Sequence, residues 1–296
     1  MIPHFPDFKK LELSDHREVE SHTEKFPLYS DFDFSSIWSW DVKEEMALSI
    51  LNDNLVVRFT DYTSGTPFLS YLGTKMVNET AAQLLNYSPE NKLQLIPEAS
   101  AVGLDQDVFI IEESRDHFDY ICDVRQHIDY SDKKLKSHRT LLRQFTDAYP
   151  NFERVTLDLS LTEVQSNVAY IYKCWDENKG FITSSEAFAY ERFMSAVNEL
   201  PYTAVGIRID GQLVAFHIAS LPPGTHADAL FSKANVAYRG VYAALDHVVA
   251  LDLVERGYTH MNIQQDLGIE SLRRAKQSLH PEYFLKKYSV EFRSKP

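Results

Sequence analysis

The sequence predicts an α/β (α+β) protein of two tandem domains, each with a mixed, mostly antiparallel sheet flanked by helices. The chain has 296 residues, which suits two domains of ordinary size. Hydrophobic residues make up 44% of it and charged residues 25%, as in folded globular proteins. Asp210-Gly211 lies between two strand-like runs and signals an antiparallel hairpin. A doubly wound parallel sheet predicts no such hairpin in its middle, so we rank it lower.

The first half predicts a mixture of short helices and strands. Ser14 can cap a helix that runs to Lys25, and the aromatic stretch after it, which includes Trp38, indicates core. The next predicted elements are strands at 55–59 and 66–72 around a turn at 63–65, a helix at 78–85, strands at 93–96, 108–111 and 118–124, and a basic helix at 133–145. A break at Tyr149-Pro150 places the domain boundary near residue 150, between domains of residues 1–150 and 151–296.

The second half has clearer periodicity. Its predicted elements are a strand at 154–159, helices at 162–177 and 184–200, strands at 203–209, 212–220 and 227–232, a helix at 240–255, a strand at 259–263, a helix at 268–278 and a last strand at 283–292. Gly257 is expected to end the long helix. This order of elements is that of the acetyltransferase fold.

Charge and cysteine content limit the classes of function. The net charge of -13 opposes binding to nucleic acid or anionic membranes except through local basic patches. Cys122 and Cys174 lack metal-ligand spacing, so we expect no metal site and a reducing, cytoplasmic setting. No signal peptide is visible, and no apolar run approaches the roughly 18 residues of a membrane span. We therefore expect a soluble protein without integral membrane association.

The motifs near the end of the chain resemble a known family. Residues 261–269 read Met-Asn-Ile-Gln-Gln-Asp-Leu-Gly-Ile, residues 272–278 read Leu-Arg-Arg-Ala-Lys-Gln-Ser, and Pro281 and Lys287-Tyr288 follow. This stretch resembles the DUF2156 family, which is similar to the C-terminal domain of phosphatidylglycerol lysyltransferases and looks related to the Fem peptidyltransferases, with two tandem acetyltransferase-like (GNAT) domains. Further similar segments lie at 34–40, 138–145, 232–234 and 238–242, so the resemblance covers most of the chain.

The resemblance implies transfer of an acyl or aminoacyl group to an amine or hydroxyl acceptor. The implied donor is aminoacyl-tRNA or acyl-CoA, and the acceptor is a small molecule, a peptide or a lipid headgroup. Lipid-modifying relatives carry a multi-span membrane half that this sequence lacks, which argues against phosphatidylglycerol as the acceptor. Two other functions stay open: a binding module with this fold that catalyses nothing, and an acyl-CoA-dependent N-acetyltransferase.

A glycine opens the long helix at the place where acetyltransferases bind the pyrophosphate of CoA. Their loop has the form Arg/Gln-x-x-Gly-x-Gly/Ala, and Gly240 matches its first glycine. However, Ala237 stands at the basic position and Tyr242 at the small one. Gly240 and the adjacent Arg239 are therefore candidates for phosphate binding, and a glycine required only for packing is the alternative.

Four residues are catalytic candidates. Asn262 and Asp266 follow a predicted strand end, where Asp266 could orient or deprotonate an amine; the alternative is a cap for the helix after it. Lys233 ends a strand before the glycine loop and could hold a carboxylate, phosphate or oxyanion, or be an ordinary surface lysine. Tyr242 could supply the proton of the leaving group, with packing as the alternative.

Two basic segments could grip an anionic donor such as tRNA. The first includes His138 and Arg139, and the second includes Arg273, Lys276 and Lys287. For each, a solvated amphipathic face is the alternative interpretation.

Overall fold

The computed structural model describes residues 1–61, 65–88, 90–179 and 184–293. The turn predicted at 63–65 therefore lies mostly outside the described residues. The strands within these ranges are β1 (Lys9–Lys10), β2 (Ala47–Leu51), β3 (Asn54–Thr60), β4 (Pro67–Leu72), β5 (Lys92–Pro97), β6 (Phe109–Glu113), β7 (Asp119–Asp123), β8 (Glu153–Thr156), β9 (Tyr202–Ile209), β10 (Gln212–Ser220), β11 (His226–Ala234), β12 (His260–Asn262), β13 (Tyr283–Leu285) and β14 (Lys287–Phe292). The α-helices are α1 (His16–Thr23), α2 (Phe34–Trp40), α3 (Val77–Tyr87), α4 (Glu98–Ala101), α5 (Gln126–Asp129), α6 (Lys136–Ala148), α7 (Thr162–Lys179), α8 (Ser184–Ser195), α9 (Val241–Glu255) and α10 (Glu270–Ser278).

These strands form two seven-stranded mixed sheets, which confirms the predicted fold class. The first sheet has the order β1-β2-β3-β4-β5-β14-β6, and the second has the order β13-β7-β12-β11-β10-β9-β8. Among the named strand pairs, only β4–β5 and β11–β12 are parallel. The hairpin between β9 and β10 turns at Asp210 and Gly211, whose φ angles of 50° and 80° suit the turn that the sequence predicts.

The two sheets exchange strands along the chain. The first-half strand β7 lies in the second sheet, and the C-terminal β14 lies in the first sheet between β5 and β6. The prediction of one strand at 283–292 is wrong. The segment forms two strands separated by Lys286, with β13 in the second sheet and β14 in the first. The domain boundary near residue 150 stays a prediction. The two sheets do not divide the chain at that point, because each sheet contains strands from both halves.

One hydrophobic cluster of the core contains residues from both halves of the chain. This cluster joins Phe32 and Ile37 of the first half to Phe193, Phe216 and Phe231 of the second. Helices α7 and α8 contribute to it on one face of the second sheet, while α9 packs against the other face with a separate cluster. Side chains between the halves therefore have the burial of a domain interior.

Two parallel strands diverge in the second sheet, as the acetyltransferase-like fold requires. β11 and β12 pair only at 226–228 with 260–262, and β11 then continues alone along this edge to Ala234. The chain next enters α9 through Gly240, at φ 84°. A Cβ at that position would lie 2.4 Å from the carbonyl oxygen of Leu141 on α6. Close packing therefore requires this glycine, in agreement with the packing alternative.

Candidate functional site

Several of the predicted site residues fall, with their neighbours, into two groups of mostly buried or partly buried side chains. The first, which we call the interface cluster, contains Asp31, Asp33, Asp119, Asp228, Asp266, Lys276 and Lys287. The second, which we call the Lys233 cluster, contains Tyr172, Trp175, Glu186, Lys233 and Tyr242. Asp228 and Lys233 both lie on β11 at positions five residues apart, which is roughly 16 Å of strand.

Asp266 is the anchor of the loop that leads from β12 to α10. Its carboxylate has no exposed surface and accepts hydrogen bonds from Arg273 at 2.8 and 2.9 Å, Arg115 at 3.1 Å and the Gly268 amide at 2.9 Å. The Tyr120 hydroxyl also donates to it. Burial alone would raise the pKa of Asp266, but the hydrogen bonds from Arg273 and Tyr120 hold it well below its usual range. These bonds hold the carboxylate within the loop. The N-cap residue of α10 is Ile269, so Asp266 does not occupy the cap position that the alternative gave it, and its role as a base stays a prediction.

Asn262 and Lys276 fix the same loop through backbone groups. The Asn262 side chain donates to the carbonyl oxygen of Leu28 at 2.7 Å and accepts from the amide two residues later at 2.7 Å. Lys276 donates to the carbonyl oxygens of residues 263 and 265, at 2.6 and 2.5 Å. Burial lowers the pKa of Lys276 to about 8. Both side chains thus hold protein atoms, and neither arrangement supports the role first predicted for it.

Lys287 connects the two halves of the chain. Its amine is fully buried, lies 2.8 Å from Asp119 and also forms an ion pair with Asp31. Asp119 in turn accepts from the hydroxyl and the amide of Ser30, at 2.7 and 2.9 Å. Because the Lys287 side chain has no exposed surface, the predicted grip on an anionic donor is not supported.

Two further buried acids in the interface cluster have raised pKa values. Asp33 caps α2 by accepting from the Ser36 amide at 3.0 Å, and burial raises its pKa to about 6. Asp228 accepts from Gln264 at 3.0 Å, and burial followed by the charge of Asp33 raises its pKa well above the usual range. The sequence analysis did not select these acids, although the alternation of Asp and Phe at 31–34 was a visible signal.

The Lys233 cluster lies where β11 has left β12. Lys233 is opposite Phe216 in the β10–β11 pairing and therefore faces α7 and α8. Its amine lies 2.5 Å from a carboxylate oxygen of Glu186 on α8 and 4.0 Å from the ring centre of Trp175 on α7. The residue is 7% exposed, so this is a buried ion pair stacked on an aromatic ring.

Tyr242, in the first turn of α9, connects this ion pair to the surface. Its ring is 37% exposed, while burial of the hydroxyl raises the pKa to about 12. The Ala234 backbone and the Trp175 indole lower that pKa, but burial outweighs them. A phenol with a raised pKa is protonated at neutral pH, so Tyr242 carries a proton that it can donate.

The structure thus brings the predicted Lys233 and Tyr242 together with two residues that sequence reasoning missed. Glu186 precedes Lys233 by 47 positions, and Trp175 lies on a separate helix, α7. Nothing in the local pattern relates these segments to each other. Only the packing of α7 and α8 on the face of β11 does so.

One side-chain contact joins α6 and α10, the helices that carry most of the two basic segments. His138 on α6 lies 3.3 Å from the Ser278 hydroxyl on α10, and burial lowers its pKa. Arg139 donates to the carbonyl oxygen of Tyr130 at 2.9 Å and stays exposed, as does Arg239. Arg273, in contrast, is held by the anchor carboxylate. The described residues contain no group of side chains suited to a metal ion, and none of their helices combines the length and apolarity that crossing a membrane requires.

Comparisons with known proteins agree with this architecture. A conserved protein of unknown function from Bacteroides thetaiotaomicron has 23% identity and a TM-score of 0.83, with 99% of this chain and 100% of that chain covered. The C-terminal DUF2156 domain of a putative lysylphosphatidylglycerol synthetase from Agrobacterium fabrum has 12% identity and a TM-score of 0.67, with coverages of 96% and 93%. FemX has 11% identity and a TM-score of 0.57, with coverages of 97% and 97%. At these identities the likeness shows a shared fold.

The family is shown by sequence. No curated protein sequence matches the chain. The family model for the C-terminal region of phosphatidylglycerol lysyltransferase matches residues 24–291, a range that contains both clusters, the second sheet and all of the first sheet except β1 and the last residue of β14. The chain therefore belongs to the phosphatidylglycerol lysyltransferase C-terminal family.

Proposed function

We propose that this protein transfers an aminoacyl group from aminoacyl-tRNA to an amine or hydroxyl acceptor, and that the Lys233 cluster is its active site. One observation carries the proposal: a cation, a carboxylate and a protonated phenol meet beside the free edge of β11. Acyl transfer requires these three kinds of group, for the oxyanion, the nucleophile and the leaving group respectively. Family membership supports the same class of reaction.

Each group has a defined part in the proposed reaction. The acceptor's lone pair forms a bond to the ester carbonyl carbon, the carbonyl electron pair moves to oxygen, and Glu186 takes the proton that the acceptor loses. The ammonium of Lys233 stabilises the oxyanion. When the intermediate collapses, the carbon–oxygen ester bond breaks and the ribose oxygen takes a proton from Tyr242. Tyr242 then regains the proton held by Glu186, directly or through a water chain, so that both side chains return to their starting states and one proton passes from the acceptor to the ribose oxygen.

The helix opening favours aminoacyl-tRNA over acyl-CoA as the donor. Ala237 supplies no charge, and Tyr242 places a bulky ring where a pyrophosphate loop has a small residue. The exposed cations beside α9 suit an RNA backbone, although the net charge of -13 restricts such contact to this surface. Amine and hydroxyl acceptors, among them peptides and lipid headgroups, are both consistent with a single base.

The test measures transfer of a radiolabelled aminoacyl group from aminoacyl-tRNA, and of acetyl from acetyl-CoA, to peptide amines and to phosphatidylglycerol vesicles. We expect Lys233→Met to lower kcat by about 10²- to 10³-fold, the usual effect of losing one oxyanion donor. Lys286→Met is the matched control, because Lys286 also pairs with a glutamate, Glu113 at 2.6 Å, but lies outside the cluster.

Three outcomes decide between the functions. Transfer from acetyl-CoA alone would establish the acetyltransferase alternative. Failure of both donors to react or to raise the melting temperature would favour a binding module without catalysis. Equal activities of Lys233→Met and the wild type would remove the Lys233 cluster from the active site.

A further inference from the structure

The Lys233 cluster contains a buried hydroxyl to which the mechanism above gives no part. We propose that Tyr172 donates a second hydrogen bond to the carbonyl oxygen of the transferred group, beside Lys233, so that the two side chains form the oxyanion hole. This assignment rests on the proposed acyl-transfer function and adds a catalytic residue to it. The bond transfers no proton, so the balance of the reaction is unchanged.

Among the described residues, the hydroxyl of Tyr172 has no hydrogen-bond partner. Its oxygen is buried, and within the described ranges no donor or acceptor lies within hydrogen-bond reach of it. Buried tyrosine hydroxyls normally form a hydrogen bond, because leaving one unmade costs the desolvation of the group. A substrate oxygen at this place would supply the missing acceptor.

The ring of Tyr172 is held in place by two neighbouring aromatic rings. It packs against Tyr190 at 4.8 Å and Phe216 at 5.4 Å between ring centres. These contacts leave the hydroxyl little freedom to turn toward another acceptor. An oxyanion hole depends on donors that are already oriented before the charge develops.

Tyr172 carries a protonated hydroxyl on a ring that lies close to Lys233. Tyr172 lies one helical turn before Trp175 on α7, and the Lys233 amine is 5.7 Å from its ring centre. Burial, and after it the charge of Glu186, raise its pKa well above the usual range. The hydroxyl therefore stays protonated, and it stands beside a cation that would share the same oxygen.

The experiment compares Tyr172→Phe with Tyr190→Phe. Both variants lose one hydroxyl from the same aromatic group, and Tyr190 is outside the proposed oxyanion hole. The probe is a 3′-aminoacylamino-3′-deoxyadenosine, which carries the donor carbonyl on a stable amide, and its Kd is measured by calorimetry. We expect Tyr172→Phe to weaken binding by about tenfold and to lower kcat by about 10²-fold with KM for the acceptor unchanged.

The stability of the variants provides a further readout. Removing an unpaired buried hydroxyl should leave the melting temperature unchanged or raise it. A loss of activity in Tyr172→Phe together with a higher melting temperature would therefore support the assignment, since a packing defect lowers both. Tyr190→Phe should keep the wild-type Kd and kcat.

The remaining outcomes separate the two proposals. A wild type that binds the probe and transfers nothing, with weaker binding in Tyr172→Phe, would contradict the proposed function and retain the assignment of Tyr172. Equal Kd and kcat values for Tyr172→Phe and wild type would overturn the assignment, as would equal losses in both variants. A wild type that does not bind the probe would overturn it as well.

Discussion

Replacing Lys287 by methionine tests how the two halves of the chain are held together. The Lys287 amine is buried with its charge neutralised by Asp119 at 2.8 Å and by Asp31. Methionine keeps most of the volume of the side chain and removes the charge. The substitution therefore leaves the carboxylate of Asp119 buried without a cation, although Ser30 still donates two hydrogen bonds to it.

The expected loss is large because both partners are inaccessible to water. Lys287 and Asp119 are each 0% exposed, and breaking a buried pair by removing one member costs about 3–5 kcal/mol. The hydrogen bonds from Ser30 reduce the penalty, so we expect about 3 kcal/mol of unfolding free energy at neutral pH. Lys287→Met combined with Asp119→Asn should recover part of this loss, since the fully buried residue 119 is then neutral and Asp31, which also loses its cation, is partly exposed.

The assay is urea denaturation followed by tryptophan fluorescence, repeated across alkaline pH. Burial opposes the charged form of Lys287, but Asp119 and Asp31 more than offset it and raise its pKa above the ordinary 10.5. A raised lysine pKa stabilises the fold below the unfolded value, and that contribution is lost as pH rises through the folded value. The difference between wild type and Lys287→Met should therefore narrow only above about pH 10.5.

The reasoning would be refuted by a loss below about 1 kcal/mol, which is the value for an exposed pair. It would also be refuted by a difference that already narrows near neutral pH, because the lysine would then not be held in its charged form. The neighbouring Lys286→Met is the control and should leave stability nearly unchanged, since that amine is 39% exposed.

Two other substitutions test the backbone and the anchor. Gly240→Ala should destabilise the protein by more than the roughly 1 kcal/mol expected for a positive φ alone, because its Cβ would meet the carbonyl oxygen of Leu141. Gly211→Ala is the control, since Gly211 has a similar φ of 80° and a Cβ there would have nothing within 4 Å. The difference between the two variants in thermal unfolding therefore measures the steric contact alone. Asp266→Asn should cost about 1.5–3 kcal/mol at neutral pH, as for a hydrogen bond to a charged group. Folding lowers the pKa of Asp266 from its ordinary value of 3.8, so this stabilisation is present above pH 3.8 and is lost as the pH falls below that value. The urea midpoints of wild type and Asp266→Asn should therefore converge only below pH 3.8.

Local patterns were sufficient to predict most elements of the second half, with the strand at 283–292 as an exception. The strand predicted at 212–220 has the bounds of β10, and the long helix ends before Gly257 at φ 88°. Both signals act over a few residues: alternation of side chains with a tight turn, and a glycine in the left-handed region. The helical element α2 and the strand β2 were not predicted, and the aromatic stretch that forms α2 was interpreted only as core.

The strand exchange and the composition of the site could not be predicted in this way. Alternation along 283–292 is compatible with one strand, and only the pairing partners show that the chain changes sheets there. Likewise, no residue near Lys233 in the sequence indicates that it pairs with Glu186, since that contact depends on how α8 packs on the sheet. Asp266 was selected because of its position after a strand, but its surroundings, and not its position, determine whether it is a base or an anchor.

The contribution of the first half to the Lys233 cluster is indirect, through α8. All five members of the cluster come from the second half, yet α8, which carries Glu186, packs on α2. The Arg192 guanidinium lies 4.2 Å from the ring centre of Trp38 and donates to its carbonyl oxygen at 2.8 Å, while the Trp38 indole donates to the carbonyl oxygen of Arg192 at 3.1 Å. Arg192 is under two helical turns from Glu186, so these contacts set the position of the carboxylate relative to Lys233. In the proposed reaction the Glu186 carboxylate accepts a proton while it pairs with Lys233, which requires a fixed helix, and the contacts with the first half hold α8 in place.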